Sequence, residues 1–192
     1  MTPSDSNLLS GAPAVMPHAY PLDEFYAQAG RALPAIRTIP GEKMPEPYRS
    51  LLVHNDDMTP TLAKHHKRSI HIEVLRREQR GDAYFREVLL LLDDTGEPVE
   101  FGAIKINLML FSPHARRLIL EERLPLGKIL ETSEVAHSSR PKAFLQIEAD
   151  DFIRQSLRVT GRHTLYGRRN TLADPKQRPL AEIVEILPPA KG

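Results

Sequence analysis

The stretch Ala83–Leu92 constrains the fold more than any other part of the chain. It reads AYFREVLLLL and is followed by the segment DDTGEP. A run rich in Phe, Val and Leu that stops at Asp, Gly and Pro is typical of a buried β-strand. A second apolar run begins at Val99, and the two runs with the turn between them predict a β-hairpin.

Two charged residues, Arg86 and Glu87, lie in the middle of this strand. Neighbours on a strand point to opposite faces, so Arg86 shares a face with Tyr84, Val88 and Leu90, while Glu87 lies among Phe85, Leu89 and Leu91. Both faces are otherwise apolar, so at least one charge is expected to point into the interior. A buried arginine requires an anionic partner. That partner is either a structural carboxylate or a bound anion.

Length and composition narrow the class of protein. The chain has 192 residues, of which 41% are hydrophobic, and its formal net charge is only +1. This length suits one domain, and the balanced charge gives no general attraction to nucleic acid or to an acidic membrane. There is no cysteine, which excludes disulfides, thiolate catalysis and cysteine-based zinc sites.

The N-terminal region lacks the pattern of a signal peptide, and no apolar run approaches the ~20 residues that span a bilayer. We therefore expect a cytoplasmic protein without a membrane partner. Residues 1–21 are rich in Pro, Ser, Ala and Gly and are predicted to form a flexible arm. Residues 22–189 are predicted to form the domain.

The pattern along the domain predicts an α+β fold with a mostly antiparallel sheet of about six strands. Thr59 and Ser112, each followed by Pro, are predicted helix N-caps. The predicted strands are Ser69–Arg76, Ala83–Leu92, Val99–Leu108, Ala143–Glu148, Val159–Arg169 and Ile183–Leu187. The predicted helices are Leu22–Leu33, Tyr48–His54, a segment after Thr59, His114–Glu122 and Lys128–Glu134.

Glu185 is the main candidate for proton chemistry. In the strand AEIVEIL it shares a face with Ala181, Ile183 and Leu187, so it is the lone carboxylate on an apolar face. Burial raises a carboxyl pKa and suits the group to proton transfer. The alternative is that Glu185 only pairs with a core arginine such as Arg86. Glu182 is the weaker candidate, because its neighbours fit a solvent-facing position.

Two basic clusters remain. The segment KHHKR, Lys64–Arg68, lacks interleaved aromatic residues and is best interpreted as a solvated face, so no nucleic-acid partner and no metal site are expected. Arg168 and Arg169 follow Gly167, which permits close backbone approach. Two such arginines could bind an anion, but a solvated surface is the simpler interpretation.

Several fragments in order resemble the chorismate pyruvate-lyase (4-hydroxybenzoate synthase) family over roughly residues 50–190. They are LLVHNDDMT, YFREVLLLLDDTGEP, LPLGKIL, LYGRRN and PLAEIVEILPP. The resemblance implies an antiparallel sheet with helical flaps over a closed pocket. It also implies cleavage of chorismate to 4-hydroxybenzoate and pyruvate without a cofactor or a metal.

By this resemblance, Arg86 anchors a substrate carboxylate, Glu185 is the general acid–base, and Met58 and Leu126 line the pocket. The same fold serves as the effector-sensing domain of one class of bacterial transcription regulators. The alternative function is therefore an aromatic-acid-binding module without turnover. Either function implies a small-molecule partner, and both a monomer and a dimer remain open.

Overall fold

The computed structural model describes residues 17–190, and the first 16 residues of the predicted arm lie outside this range. The described part is an α+β domain built on one sheet of seven strands. The strands are β1 (Ile36–Ile39), β2 (Ile70–Arg80), β3 (Ala83–Leu92), β4 (Pro98–Asn107), β5 (Ser138–Glu148), β6 (Thr164–Ala173) and β7 (Pro179–Leu187). The helices are α1 (Leu22–Gln28), α2 (Tyr48–Leu52), α3 (Met58–His66), α4 (Pro113–Glu121), α5 (Leu126–Thr132) and α6 (Asp151–Ser156).

The strand order is β1-β5-β6-β7-β4-β3-β2, and every neighbouring pair is antiparallel. The predicted hairpin of β3 and β4 is present, and β3 has the predicted bounds. Its turn closes through Gly96, whose amide donates to the Leu92 carbonyl at 2.8 Å with φ at +65°. That backbone angle favours glycine.

The two faces of the sheet carry different layers. On one face, α1 and α6 pack over a continuous apolar core that includes Phe25, Phe85 and Phe101. On the other face lie α2, α3, α4 and α5, which pack over two separate apolar clusters. Leu126 belongs to one of these clusters and Met58 to the other. The gap between the two clusters is where a ligand cavity can lie.

Some sequence-based expectations need correction. The sheet has a seventh strand, β1, in a proline-rich segment where the sequence predicted no strand. It is a short edge strand that pairs with β5 alone, a position where flanking prolines are tolerated. Helix α3 begins one residue before Thr59, and its N-cap is Asp57. Ser112 does cap α4, since its hydroxyl accepts a hydrogen bond from the Ala115 amide at 3.2 Å.

Candidate functional site

A cavity lies between the sheet and the first turns of α3 and α5. The space between its walls, with the open solvent at its mouth included, is about 540 Å³. Its floor is formed by β3, β4, β6 and β7, and its lining includes Asp57, Met58, Arg86, Glu100, Gly102, Leu126, Asn170 and Glu185. All four residues singled out in the sequence, Met58, Arg86, Leu126 and Glu185, are thus brought to one cavity.

Arg86 extends from β3 into this cavity and is only 2% exposed. Its Nε and Nη1 atoms are buried and have no hydrogen-bond partner among the described residues. Burial lowers the pKa of the Arg86 guanidinium. Electrostatic interactions with Tyr84 and Glu122 oppose this effect. A guanidinium nevertheless stays protonated at neutral pH. The cavity wall therefore carries a charged donor that the protein itself leaves without a carboxylate.

Glu185 forms an ion pair with Arg168. The pairing of Glu185 with Arg86, which the sequence left open as an alternative, is not present. Arg168 Nε donates to Glu185 Oε2 at 2.5 Å, and Arg168 is completely buried. The two residues face each other directly in the register of β6 and β7. Burial raises the pKa of Glu185, while the charge and hydrogen bond of Arg168 lower it. The wall thus has a carboxylate whose charge is already compensated.

Gly167 makes this close packing possible. A Cβ at this position would lie 2.3 Å from the backbone oxygen of Glu185 on the adjacent strand, which no side chain can satisfy. The predicted close approach is therefore present. The simpler interpretation of Arg168 and Arg169 as a solvated surface was wrong, because both are buried and each pairs with a glutamate of β7.

Glu182 lies on the other face of the sheet, away from the cavity. It is buried, and its Oε2 accepts hydrogen bonds from Arg169 Nη2 at 3.1 Å and from Thr171 Oγ1 at 2.8 Å. The expected solvent-facing position was wrong. The side chain is satisfied by structural partners, which leaves Glu185 as the glutamate of β7 that lines the cavity.

Met58 and Leu126 are the first residues of α3 and α5 and form the apolar edge of the cavity. The two helices touch at Gly127, where a Cβ would lie 3.2 Å from Thr59 Oγ1. The turn at Pro125, just before α5, and the short loop before α3 therefore close over the sheet together. These are the helical flaps expected from the sequence.

Glu100 is a cavity residue that the sequence analysis missed. It lies on β4, is 4% exposed, and its Oε2 has no hydrogen-bond partner within residues 17–190. Burial raises the pKa of Glu100 well above its usual value, and the nearby Glu185 adds to this effect, while Arg168 opposes it. The sequence pattern that could have identified Glu100 was the same as for Glu185, a lone carboxylate on one face of a strand. On β4 that face also carries Gly102 and Ile104.

Other candidate sites are not supported by the described residues. Lys64, His65, Lys67 and Arg68 of the basic segment are exposed, as expected for a solvated face. Across residues 17–190, no group of three or more metal-ligating side chains is placed to hold a metal ion. Among the helices in this range, none is both long and apolar enough to cross a membrane.

Comparison with known proteins shows relationships at the level of structure only. No protein-family model and no curated protein sequence matches the chain. The effector domain of PhnF from Mycobacterium smegmatis matches with a TM-score of 0.52 at 13% identity, over 68% of this chain and 87% of that chain. The structure of PhnF itself gives a TM-score of 0.51 at 13% identity, over 69% of this chain and 63% of that chain.

The gene product SA0254 from Staphylococcus aureus N315 matches with a TM-score of 0.50 at 9% identity, over 62% of this chain and 82% of that chain. A GntR-family transcriptional regulator from Enterococcus faecalis V583 is a looser neighbour, with a TM-score of 0.44 at 13% identity, over 60% of this chain and 91% of that chain. At such identities the likeness concerns the fold alone. The chain is an α+β domain with the large antiparallel sheet of the PhnF effector domain.

Proposed function

We propose that this protein binds a small cyclic or aromatic carboxylic acid in the cavity, and that Arg86 holds the carboxylate of that acid. The observation that carries the proposal is the Arg86 guanidinium, buried in the cavity wall, whose Nε and Nη1 have no hydrogen-bond partner among residues 17–190. A buried charge is retained only where something compensates it. A carboxylate matches the planar donor geometry of arginine and supplies that compensation.

The apolar lining supports a ligand with a ring rather than a bare inorganic anion. Val88, Leu90, Ile104 and Leu126 surround the polar groups of the cavity. Small-molecule sites combine mostly apolar walls with a few placed polar groups in this way. The fold shared with the PhnF effector domain favours reversible binding of an effector over turnover. We therefore place effector binding first.

A titration tests the binding proposal directly. Isothermal calorimetry with 4-hydroxybenzoate, benzoate and cyclohexane carboxylate is expected to show saturable binding by the wild type. Arg86→Met should weaken binding by about 10- to 150-fold for each charged hydrogen bond that is lost, because such a bond contributes roughly 1.5–3 kcal/mol. The matched control is Arg37→Met. Arg37 lies on strand β1, is exposed, and is not among the residues that line the cavity.

Failure of the proposal would be clear from the same data. A folded wild type that binds none of these acids, or an Arg86→Met variant that binds as well as Arg37→Met, would contradict it. A circular dichroism spectrum and a melting curve for each variant separate lost binding from lost folding.

Chorismate cleavage is the second candidate, and a specific observation favours it. Glu185 presents a carboxyl of raised pKa to the same cavity as Arg86. In such a reaction the ring C–H bond and the ether C–O bond break. The ring becomes 4-hydroxybenzoate, and the departing enolpyruvyl group gains a proton to give pyruvate. One positioned carboxyl that moves this proton contributes about 10²–10⁴-fold.

The lyase candidate is tested by incubating pure protein with chorismate and following 4-hydroxybenzoate by absorbance. Turnover by the wild type that falls at least about 100-fold in Glu185→Gln would support it. Product formation no faster than in the Glu185→Gln sample would contradict it and leave effector binding as the function.

A further inference from the structure

Glu100 is a second acidic group in the cavity, and neither candidate function uses it. Its side chain leans over Gly102, since a Cβ on that glycine would lie 3.4 Å from Glu100 Oε1. The other oxygen, Oε2, is buried and has no hydrogen-bond partner in the part of the chain that the structure describes. A buried polar atom that no protein group satisfies costs free energy, and a leucine at this position would avoid that cost.

Glu100 and Arg86 stand at opposite ends of the cavity floor. In the hairpin register, Arg86 is opposite Ile104 and Glu100 is opposite Leu90. The two positions are therefore four residues apart along the ladder, or ~13 Å at ~3.3 Å per residue. Val88 and Gly102 form the floor between them. Two long polar side chains that start this far apart bracket a ligand with one polar group at each end.

The charges around Glu100 favour its neutral form. Glu185 on β7 and Arg168 on β6 act on it electrostatically, whereas Arg86 lines the opposite end of the cavity. Arg168 is already committed to Glu185 through the hydrogen bond of 2.5 Å. A second ionised carboxylate in this buried space would be repelled by Glu185, and burial itself raises the Glu100 pKa well above its usual value. A neutral carboxyl can donate a hydrogen bond, which a carboxylate cannot.

The remaining acidic group at the cavity, Asp57, is paired through one oxygen, while its charge helps to raise the pKa of Glu185 and its Oδ1 has no partner among the described residues. Its Oδ2 lies 2.8 Å from His137 Nε2, and this hydrogen bond raises the pKa of His137. With Arg168 and Glu185 compensating each other and Glu100 neutral, Arg86 is the lining cation that has no carboxylate in hydrogen-bond contact among residues 17–190, and only the charge of Glu122 and the nearby Tyr84 favour its protonated form. The cavity is therefore suited to a monoanion.

We infer that Glu100 determines the ligand specificity of the cavity: its neutral carboxyl hydrogen-bonds an oxygen substituent on the ring, at the end opposite the carboxylate held by Arg86. This inference rests on the proposed binding function and narrows its ligand class. The class is a monocarboxylic acid with a hydroxyl or other oxygen on the far side of the ring. Acids with an apolar group at that place leave Glu100 unpaired and bind more weakly.

The test compares 4-hydroxybenzoate with 4-methylbenzoate, which has the same carboxylate and a methyl group in place of the hydroxyl. Calorimetry on the wild type should give a preference of about 10- to 100-fold for 4-hydroxybenzoate, the range expected when a buried polar group loses its partner. Glu100→Gln keeps a neutral hydrogen-bonding group and should retain most of the preference. Glu100→Leu should reduce it to about threefold or less.

A pH series provides a second measurement that a purely structural role would not change. The wild-type preference should fall as pH rises through the folded-state pKa of Glu100 and the carboxyl loses its proton, while the preference of Glu100→Gln stays flat. A preference that rises with pH would overturn the inference, because it would mean that ionised Glu100 accepts the hydrogen bond. If Glu100→Leu does not fold, the wild type and Glu100→Gln still decide the matter.

The outcomes separate this inference from the function on which it rests. Binding of both acids with equal affinity, lost in Arg86→Met, would overturn the role of Glu100 and leave the binding proposal intact. An unchanged preference in Glu100→Leu would do the same. A folded wild type that binds neither acid would overturn both.

Discussion

The two faces of strand β3 differ in whether a buried charge has a partner of opposite charge in the protein. On the core face, Glu87 is fully buried, and its Oε2 accepts a hydrogen bond from Arg76 Nε at 2.5 Å. Arg76 is itself held by the Phe25 carbonyl at 3.1 Å. On the other face, the adjacent Arg86 lines a cavity and its Nε and Nη1 lack partners. Glu87 has a cationic partner in the core, although its Oε1 has no hydrogen-bond partner among residues 17–190, whereas Arg86 has no carboxylate partner in this range and is left for a ligand.

This difference separates a structural charge from a functional one in terms of free energy. A buried ion pair is close to neutral for stability as long as both members are present, but removal of one member is costly. A buried charge without a protein partner is already a cost to the folded state. Removal of such a charge is therefore expected to stabilise the folded state and to weaken ligand binding. The following predictions test this contrast.

The largest effect is expected from the core face. Arg76→Met leaves the Glu87 carboxylate buried and unpaired, and should lower the free energy of unfolding by about 2–4 kcal/mol. The partial exposure of Arg76 keeps the expected loss below that of a fully buried pair. Urea titrations of the wild type and the variant measure it. A loss below about 0.5 kcal/mol would mean that the Glu87 pair is not what stabilises this face.

Arg86→Met should have the opposite sign. Because the guanidinium has unsatisfied donors, an apolar side chain of similar length is expected to leave the free energy of unfolding unchanged or to raise it by up to about 2 kcal/mol. The same urea titration measures this effect in the absence of ligand. A destabilisation as large as that of Arg76→Met would make Arg86 a structural residue and would remove the contrast between the two faces.

Glu100 is expected to make the free energy of unfolding depend on pH. Its folded-state pKa is raised by burial, so the folded state holds the proton more tightly than the unfolded state. The corresponding stability is fully present below the unfolded pKa, near 4.5, and is lost as pH rises through the folded pKa. Glu100→Gln should remove this decline. The wild type should therefore lose up to about 1.4 kcal/mol per pH unit relative to Glu100→Gln over that window.

Urea titrations of both proteins from pH 4.5 to 8 check this prediction, with each measurement made without ligand. Parallel curves would show that Glu100 ionises in the folded state as easily as in the unfolded state. Because Glu185 also has a raised pKa, the comparison must be made between the two proteins and not from the wild-type curve alone.

The smallest effect is expected at the rim of the cavity, where His137 and Asp57 form a half-buried pair. The hydrogen bond to Asp57 raises the His137 pKa above its usual value of 6.5. The stability from this pair is fully present below that value and is lost as pH rises through the folded pKa. Relative to His137→Gln, the wild type should lose about 0.5–1 kcal/mol between pH ~6 and ~8. Melting curves at several pH values measure the change, and a gain with rising pH would contradict it.

The sequence predicted best what depends on a local pattern. The bounds of β3, the hairpin and the cap at Ser112 follow from periodicity and turn chemistry within a few residues. The facing of Arg86 and Glu185 follows from the alternation of a strand, and both side chains reach the cavity. The roles assigned to Met58, Arg86, Leu126 and Glu185 remain predictions.

What the sequence could not give depends on distant pairing. Glu185 meets Arg168 because β6 and β7 pair in one register, which neither strand specifies alone. The burial of Arg169 and Glu182 has the same origin. Strand β1 was missed because prolines interrupt its local pattern, and only pairing with β5 defines it. Glu100 was visible in the pattern of β4, but nothing local marked it as more important than other charges.

The many bonds of Arg168 connect access to the cavity with its electrostatics. Besides Glu185, its guanidinium donates to the carbonyls of Leu52, His54 and Asp56 at 3.3, 3.1 and 2.9 Å. These carbonyls belong to the last residue of α2 and to the loop that leads into α3, one of the two flaps. Movement of this loop away from the sheet breaks bonds to the same cation that compensates Glu185. The entrance and the charge of the floor are thus thermodynamically linked: whatever opens the flap also changes the affinity of Glu185 for its proton.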